Sequence, residues 1–329
     1  MKQNQFLTWS LKDFHSQRPP ATLTSARSKQ IAETLEINEP TADARCTTCH
    51  APLHGVPANL RGEHFKISEG VSCESCHGPA EKWLRSHTRK DYTRADRTAA
   101  GMRDLQSLYV RANTCVACHQ VVSPALLKAG HPELIFELDG QSCAEPKHWS
   151  AEKNGNGAQA WLVGQAVALR EMSWQLTQIH SANELSPRMT ETNLLDRIYA
   201  LSWLLSKVTD QQLTPGTMAE DFEGRQRLAD AFAREKSDSV WSNQMTHDCL
   251  ARLADVASDF RDENIRPSLH ARRAERLVLA FDRLLAAENN HQADAELNQL
   301  FKLAQSIPDF EPKAFAAALQ KFAAIVSVK

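Results

Sequence analysis

The chain has 329 residues, which at about 150 residues per domain suggests two domains, each able to bury a core without disulfides. Hydrophobic residues at 42% and charged residues at 24% exclude a disordered chain, and a net charge of -2 gives no electrostatic footprint for nucleic acid. No apolar run approaches the roughly 18 residues of a membrane span, and the opening MKQNQFLTWSLKDFH has no apolar segment of the kind an export signal needs.

Residues 1–150 hold seven of the eight Cys, nine of the thirteen His and nine of the fourteen Pro. Their periodicity is poor, so short helices and loops are expected there, organised around something other than a side-chain core. GPAEKWLRSH (78–87) reads as one such helix. The polar stretch SAEKNGNGAQ (150–159) reads as a joint, giving units 1–150 and 151–329. Beyond it the chain reads as successive amphipathic helices. The first is 158–180. The next opens at Ser186-Pro187 and carries Leu194, Leu195, Ile198, Leu201 and Leu204 at helical spacing. Others are expected near 217–235, 239–260, 268–288, 293–306 and 312–327. The expected fold is mostly α, a loop-rich first unit followed by an α-helical bundle, in keeping with only 12 Gly.

The chemistry lies in CTTCH (46–50), CESCH (73–77) and CVACH (115–119), each a C-x-x-C-H. This is the attachment pattern of c-type haem. Two thiols three positions apart can form thioethers with the two vinyl groups of one porphyrin, and the adjacent His faces the iron. Cys46, Cys49, Cys73 and Cys76 alone could form a four-cysteine zinc site. That reading strands Cys115 and Cys118 and leaves the His after each pair unexplained. Three haems c are therefore expected, on Cys46, Cys49 and His50, on Cys73, Cys76 and His77, and on Cys115, Cys118 and His119. The loop-rich first unit then reads as a multihaem cytochrome c domain with porphyrins supplying much of its core.

His50, His77 and His119 are the proximal ligands. Six further His lie in this unit, and their surplus favours bis-histidine iron suited to electron transfer. His15, His87 and His131 are the stronger distal candidates. His15 follows the aromatics Phe6, Trp9 and Phe14, His87 ends the stretch after His77, and His131 sits between Gly130 and Pro132. His54, His64 and His148 are weaker candidates. His180, His247, His270 and His291 read as structural. Cys143 and Cys249 are left over, as a disulfide or as free thiols.

GVSCESCHGPAEKWLRSH (70–87), with the earlier CxxCHAP and the later CxxCH followed by GHPE, resembles multihaem cytochromes of the cytochrome c-554 type. The resemblance covers about residues 1–165 and leaves the helical half unexplained. It implies a helical, loop-rich haem domain with closely stacked porphyrins and a role carrying electrons between periplasmic partners. In that family a Gln-aromatic-x-x-Trp stretch leading to a His follows a first CxxCH. Gln5, Phe6, Trp9 and His15 fit that stretch with no CxxCH before them. Either that haem is lost, or the sequence begins downstream of a signal peptide and a fourth CxxCH.

The expected function is a periplasmic, or otherwise exported, c-type cytochrome that passes electrons through mainly bis-His haems to redox partner proteins. No nucleic acid and no transmembrane segment are expected; a homo-oligomer is compatible with the sequence. The alternative is a multihaem oxidoreductase with one open iron acting on a small nitrogen or sulfur species. The sequence favours a carrier over an enzyme and assigns no catalytic residue.

Overall fold

A computed structural model describes residues 4–148, 157–181, 188–209, 221–305 and 309–326. Every regular element among them is helical, so the expected mostly-α fold is found. Packing divides the chain into two units: Met1–Ile135 with Gln141–Gly155, and Phe136–Gly140 with Asn156–Lys329.

The first unit contains α1 (Gln5–Lys12), α2 (Phe14–Thr22), α3 (Ala26–Thr34), α4 (Ala44–His50), α5 (Cys73–His77), α6 (Arg94–Ala99), α7 (Leu108–His119) and α8 (Pro124–Lys128). A further helix, α9 (Leu138–Ala144), carries the chain across the division. These helices are too short to persist alone. Small polar residues start them by taking up free backbone N–H groups. Asp13 Oδ1 accepts from His15 N at 2.8 Å to open α2, and Asp43 Oδ1 accepts from Arg45 N at 2.8 Å to open α4. Ser107 caps α7 and Ser123 caps α8 in the same way.

The stretch 78–87 is not a regular helix. Gly78, at φ 82°, ends α5, and residues 81–88 continue as turns in which Ala80 O receives both Trp83 N and Leu84 N. Glu74 Oε1 accepts from Ala80 N at 2.6 Å, and the turns bury Trp83.

The Gly70-Val71 backbone lies tight against α1 and α2. Val71 N donates to His15 O at 2.9 Å, and Trp9 Nε1 donates to Val71 O at 3.0 Å. Gly70 has φ 68°, and a Cβ there would stand 2.7 Å from His15 O and 2.8 Å from Pro20 Cδ. Only glycine fits so close an approach at a positive φ.

The second unit is a bundle of α10 (Gly157–Ser181), α11 (Arg188–Val208), α12 (Phe222–Asp238), α13 (Asn243–Ala254), α14 (Pro267–Glu288), α15 (Asp294–Ala304) and α16 (Pro312–Val326). These helices follow the periodicity read from the sequence. The expected cap at Ser186-Pro187 lies outside the described residues. The single helix expected over 239–260 is instead α13 followed by a 3-10 turn at Ala257–Arg261, with Ser242 Oγ accepting from Met245 N at 3.2 Å to start α13. α10 runs along α12 and also packs on α11 and α14. The core is apolar and aromatic: Phe281 stacks on Phe322 with ring centroids 4.3 Å apart, and Phe260 on Phe315 at 4.7 Å. Trp161 is buried in it, whereas Trp174 on the same helix is 44% exposed. Leu138 packs on Gly164 of α10, where a Cβ would meet Leu138 Cβ at 2.7 Å. One polar line crosses this core. Arg276 Nη1 donates to Gln165 Oε1, and Gln165 Nε2 donates to Glu137 Oε1, each at 3.3 Å. Burial pushes the Glu137 carboxyl up to about 7.

His180 pairs with Glu191 at 2.8 Å, and His270 Nε2 bonds Asp262 O at 3.0 Å. The other ring nitrogen of His270, Nδ1, is buried without a hydrogen-bond partner. Cys143, exposed, and Cys249, buried, form no disulfide, and desolvation pushes the Cys249 thiol up to about 11.

Candidate haem-binding site

Each C-x-x-C-H forms the end of a helix, with His50, His77 and His119 as the last residues of α4, α5 and α7. On a helix, positions three and four apart share a face. Both thiols and the following imidazole of each motif are therefore displayed together. Cys46, Cys49, Cys73, Cys76, Cys115 and Cys118 are all free thiols. Burial pushes Cys76 and Cys115 up to about 12 and raises Cys46 and Cys73. The thiols of Cys49 and Cys118 hydrogen-bond each other, so α4 and α7 bring two motifs together. Cys115 in turn lies near enough to Cys76 to act on its ionisation. The α7 motif thus adjoins both others.

Burial lowers the pKa of His50 and His119. It pushes His77 down to about 4, aided by the nearby His148, His87 and Arg103 charges. All three imidazoles are neutral at pH 7, as a metal ligand must be.

Among the other histidines, the structure sets two ring against ring with a motif histidine. His15 faces His119 with centroids 6.0 Å apart and planes at 88°. His148 faces His77 at 6.3 Å and 85°. Two metal–imidazole bonds of about 2 Å plus two ring radii of about 1.1 Å span roughly 6 Å. Each pair is thus spaced to hold one iron between its Nε2 atoms.

The Nδ1 atoms are engaged on the outer side, which fixes tautomer and ring orientation. His119 Nδ1 lies 3.2 Å from the Gln141 side-chain amide, whose Oε1 would have to turn there to accept from Nδ1–H when Nε2 binds a metal, and His148 Nδ1 is 3.4 Å from Pro146 O. His50 Nδ1 is 3.2 Å from Pro19 O. His77 Nδ1 is buried without a hydrogen-bond partner. His15 Nδ1 lies 3.2 Å from both Asp13 Oδ1 and Glu145 Oε1. Hydrogen bonding to Asp13, then to Glu145, pushes His15 up to about 10, so unlike the three motif histidines it has to give up its Nε2 proton on binding a metal. Asp13, His15 and Glu145 are close enough to hold a metal ion as a trio. Both carboxylates, however, already meet the same ring nitrogen, Nδ1, and the ring itself lies against His119.

His131 lies close enough to His50 for its charge to depress the pKa of His50. A backbone device fixes where it emerges. Gly130, at φ 105°, follows α8; His131 N donates to Leu126 O at 2.9 Å and Gly130 N to Leu127 O at 3.1 Å. This is a Schellman ending, which holds the residue after the glycine rigidly. His131 Nδ1 is then 2.8 Å from Pro132 O.

The remaining candidates sit differently. His87 Nδ1 bonds Leu84 O at 2.8 Å, and its ring packs on Trp83 at 5.4 Å, the ring that also meets His77 at 6.4 Å. His54 follows α4 in a turn, and His64 is exposed in the loop before α5. The pairing of His148 with His77 has no local sequence signal, since 71 positions separate them; only the surplus of histidines hinted at it. Asp13 and Glu145 had none.

The donor set fits haem c: three thiol pairs, three neutral proximal imidazoles and opposed second imidazoles at iron-spanning distance. Residues 2–78 match the family described as cytochrome c554 and c-prime. No curated protein and no solved structure matches the chain.

Proposed function

We propose that this cytochrome c554-like chain carries electrons between redox partner proteins through three covalently bound haems c. Cys46, Cys49 and His50 would hold the first, Cys73, Cys76 and His77 the second, and Cys115, Cys118 and His119 the third. His131, His148 and His15 are the respective distal ligands. Haem iron with two imidazole ligands supplies one-electron exchange without needing a substrate position. The protein holds the rings: Pro19, Gln141 and Pro146 fix Nδ1 of their histidines, and Gly70-Val71 anchors the backbone of His15. The observation that carries this reading is the pair of opposed imidazoles at 6.0 and 6.3 Å.

The thiol contacts order the carriers. Because the α7 motif adjoins both others, its haem is the middle one, and electrons cross from the α4 haem to the α5 haem through it. The 1–150 part acts as the carrier and 151–329 as an accessory bundle. Attachment of haem to C-x-x-C-H in bacteria takes place outside the cytoplasm, which supports a periplasmic or exported location. No helix among the described residues is long and apolar enough to cross a membrane.

Mass spectrometry of protein matured with a haem-attachment system tests the count. Three haem additions, and only low-spin signals in the electron paramagnetic resonance (EPR) spectrum of the oxidised protein, are expected. A mass without haem overturns the reading. A high-spin signal that responds to nitrite or nitric oxide moves it to catalysis on a small nitrogen species. The place for that is the His50 site, whose partner His131 is half-exposed and not in ring contact.

A further inference from the structure

We propose that Asp13 and Glu145 set the reduction potential of the α7 haem and make it the most reducing of the three. The inference rests on the reading that His15 and His119 share one iron.

The two carboxylates meet a single ring nitrogen, His15 Nδ1, at 3.2 Å each. Their side chains are only 6% and 29% exposed, so water screens them weakly. Asp13 hydrogen-bonds His15 at its N and Nδ1, and Glu145 stands at ion-pair distance from the same Nδ1; neither carboxylate has another side-chain partner among the described residues. The other sites lack this arrangement. His50 and His131 meet backbone carbonyls, and His77 Nδ1 has no partner. Through space, Glu145 also reaches His77, and Asp13 interacts with His148, but without a hydrogen bond to either.

A hydrogen bond from Nδ1–H to a carboxylate pushes electron density towards Nε2 and raises the basicity of the ligand. It also places negative charge across the ring from the metal. Both effects favour the more positive, oxidised iron. An electron gained there, and lost by the neighbouring haem, removes the charge that the carboxylates stabilise. The sign is therefore a lower potential at His15–His119 than at the other two sites. With this haem in the middle of the three, electrons cross it uphill, and the two end haems stay poised apart.

The test uses the full haem-loaded chain, with spectroelectrochemical titration and EPR as readouts. Glu145→Gln and Asp13→Asn remove charge but keep shape, and Asn remains a competent helix cap for α2. His15→Ala, with and without added imidazole, identifies the haem. Asp91→Asn, an exposed carboxylate paired with Arg89, is the control.

The expected results are as follows. His15→Ala opens one low-spin centre, and imidazole closes it again. Glu145→Gln and Asp13→Asn keep that centre low-spin. Each raises its midpoint, the lowest of the three, by about tenfold in the exchange constant, or about 59 mV for one electron. Asp91→Asn changes nothing. If His15→Ala leaves every centre low-spin, the ligand reading itself fails. If it opens a centre whose potential is not the lowest, or is unmoved in Glu145→Gln and Asp13→Asn, the ligand reading stands and the proposal is overturned.

Discussion

Replacing Gly70 by Ala should displace His15, the proposed distal ligand of the α7 motif, without replacing it. The added Cβ would stand 2.7 Å from His15 O and 2.8 Å from Pro20 Cδ, both parts of α2 that cannot swing aside as a flexible side chain would. The residue also sits at φ 68°, ψ -126°, a conformation costing a side chain about 1–3 kcal/mol. Relieving the contact moves Val71 N away from His15 O, now 2.9 Å apart, forfeiting a hydrogen bond worth about 1 kcal/mol. The total is about 2–4 kcal/mol. With a urea dependence of about 1–3 kcal/mol per molar, the midpoint falls by about 0.7–4 M. The assay is urea unfolding of the haem-loaded protein followed by Soret absorbance. Gly101→Ala is an internal comparison, because Gly101 has φ 90° but nothing within 4 Å of its would-be Cβ. It reports the backbone cost alone. If Gly70→Ala and Gly101→Ala lower the midpoint equally, the close approach of Gly70 to α2 contributes nothing and the reasoning is wrong.

His148→Ala should convert one low-spin centre to high-spin in EPR, whereas His87→Ala should leave all centres low-spin, because the His87 ring packs on Trp83 and the His148 ring on His77. Glu137, raised from 4.5 to about 7, keeps its proton more tightly in the folded protein than in the unfolded chain. Its contribution is therefore fully present below about pH 4.5 and is lost as pH rises to about 7, a fall of about 1–3 kcal/mol. Glu137→Gln should flatten that fall in unfolding experiments at pH 5 and pH 8, and an unchanged slope would count against the burial argument. Gly164→Ala gains about 1 kcal/mol of helix propensity but meets Leu138 Cβ at 2.7 Å. Overpacking of about 1–3 kcal/mol should outweigh the gain and lower the thermal midpoint.

The parts of this architecture that depend on neighbours in sequence were legible there. A C-x-x-C-H is local chemistry, and a helix of the bundle announces itself by apolar residues three and four apart, as Leu194, Ile198 and Leu201 do on α11. The turns after α5 were read as helix because GPAEKWLRSH is composed of good helix formers. The sequence does not reveal that Glu74 captures Ala80 N. Opposition of imidazoles is a matter of tertiary placement. His15 meets His119 across 104 positions, and what aims it is a carboxylate at 13, another at 145 and the backbone of Val71. None of those partners has a pattern that composition or period could expose. The conformation of Gly130 that fixes His131 is the exception, because a glycine just past a short helix is itself a local sign.

The chain leaves the first unit at Phe136, spends five residues in the bundle and returns at Gln141. In those residues Phe136 and Leu138 are completely buried, and Leu138 fills the notch left by Gly164. No single peptide bond therefore separates the two units with both intact. Cutting after the haem motifs strips the bundle of two core side chains, and cutting before Phe136 strips the first unit of Gln141, Glu145 and His148. Neither unit is a single contiguous stretch of chain, so either one made alone needs a segment that lies in sequence within the other's range.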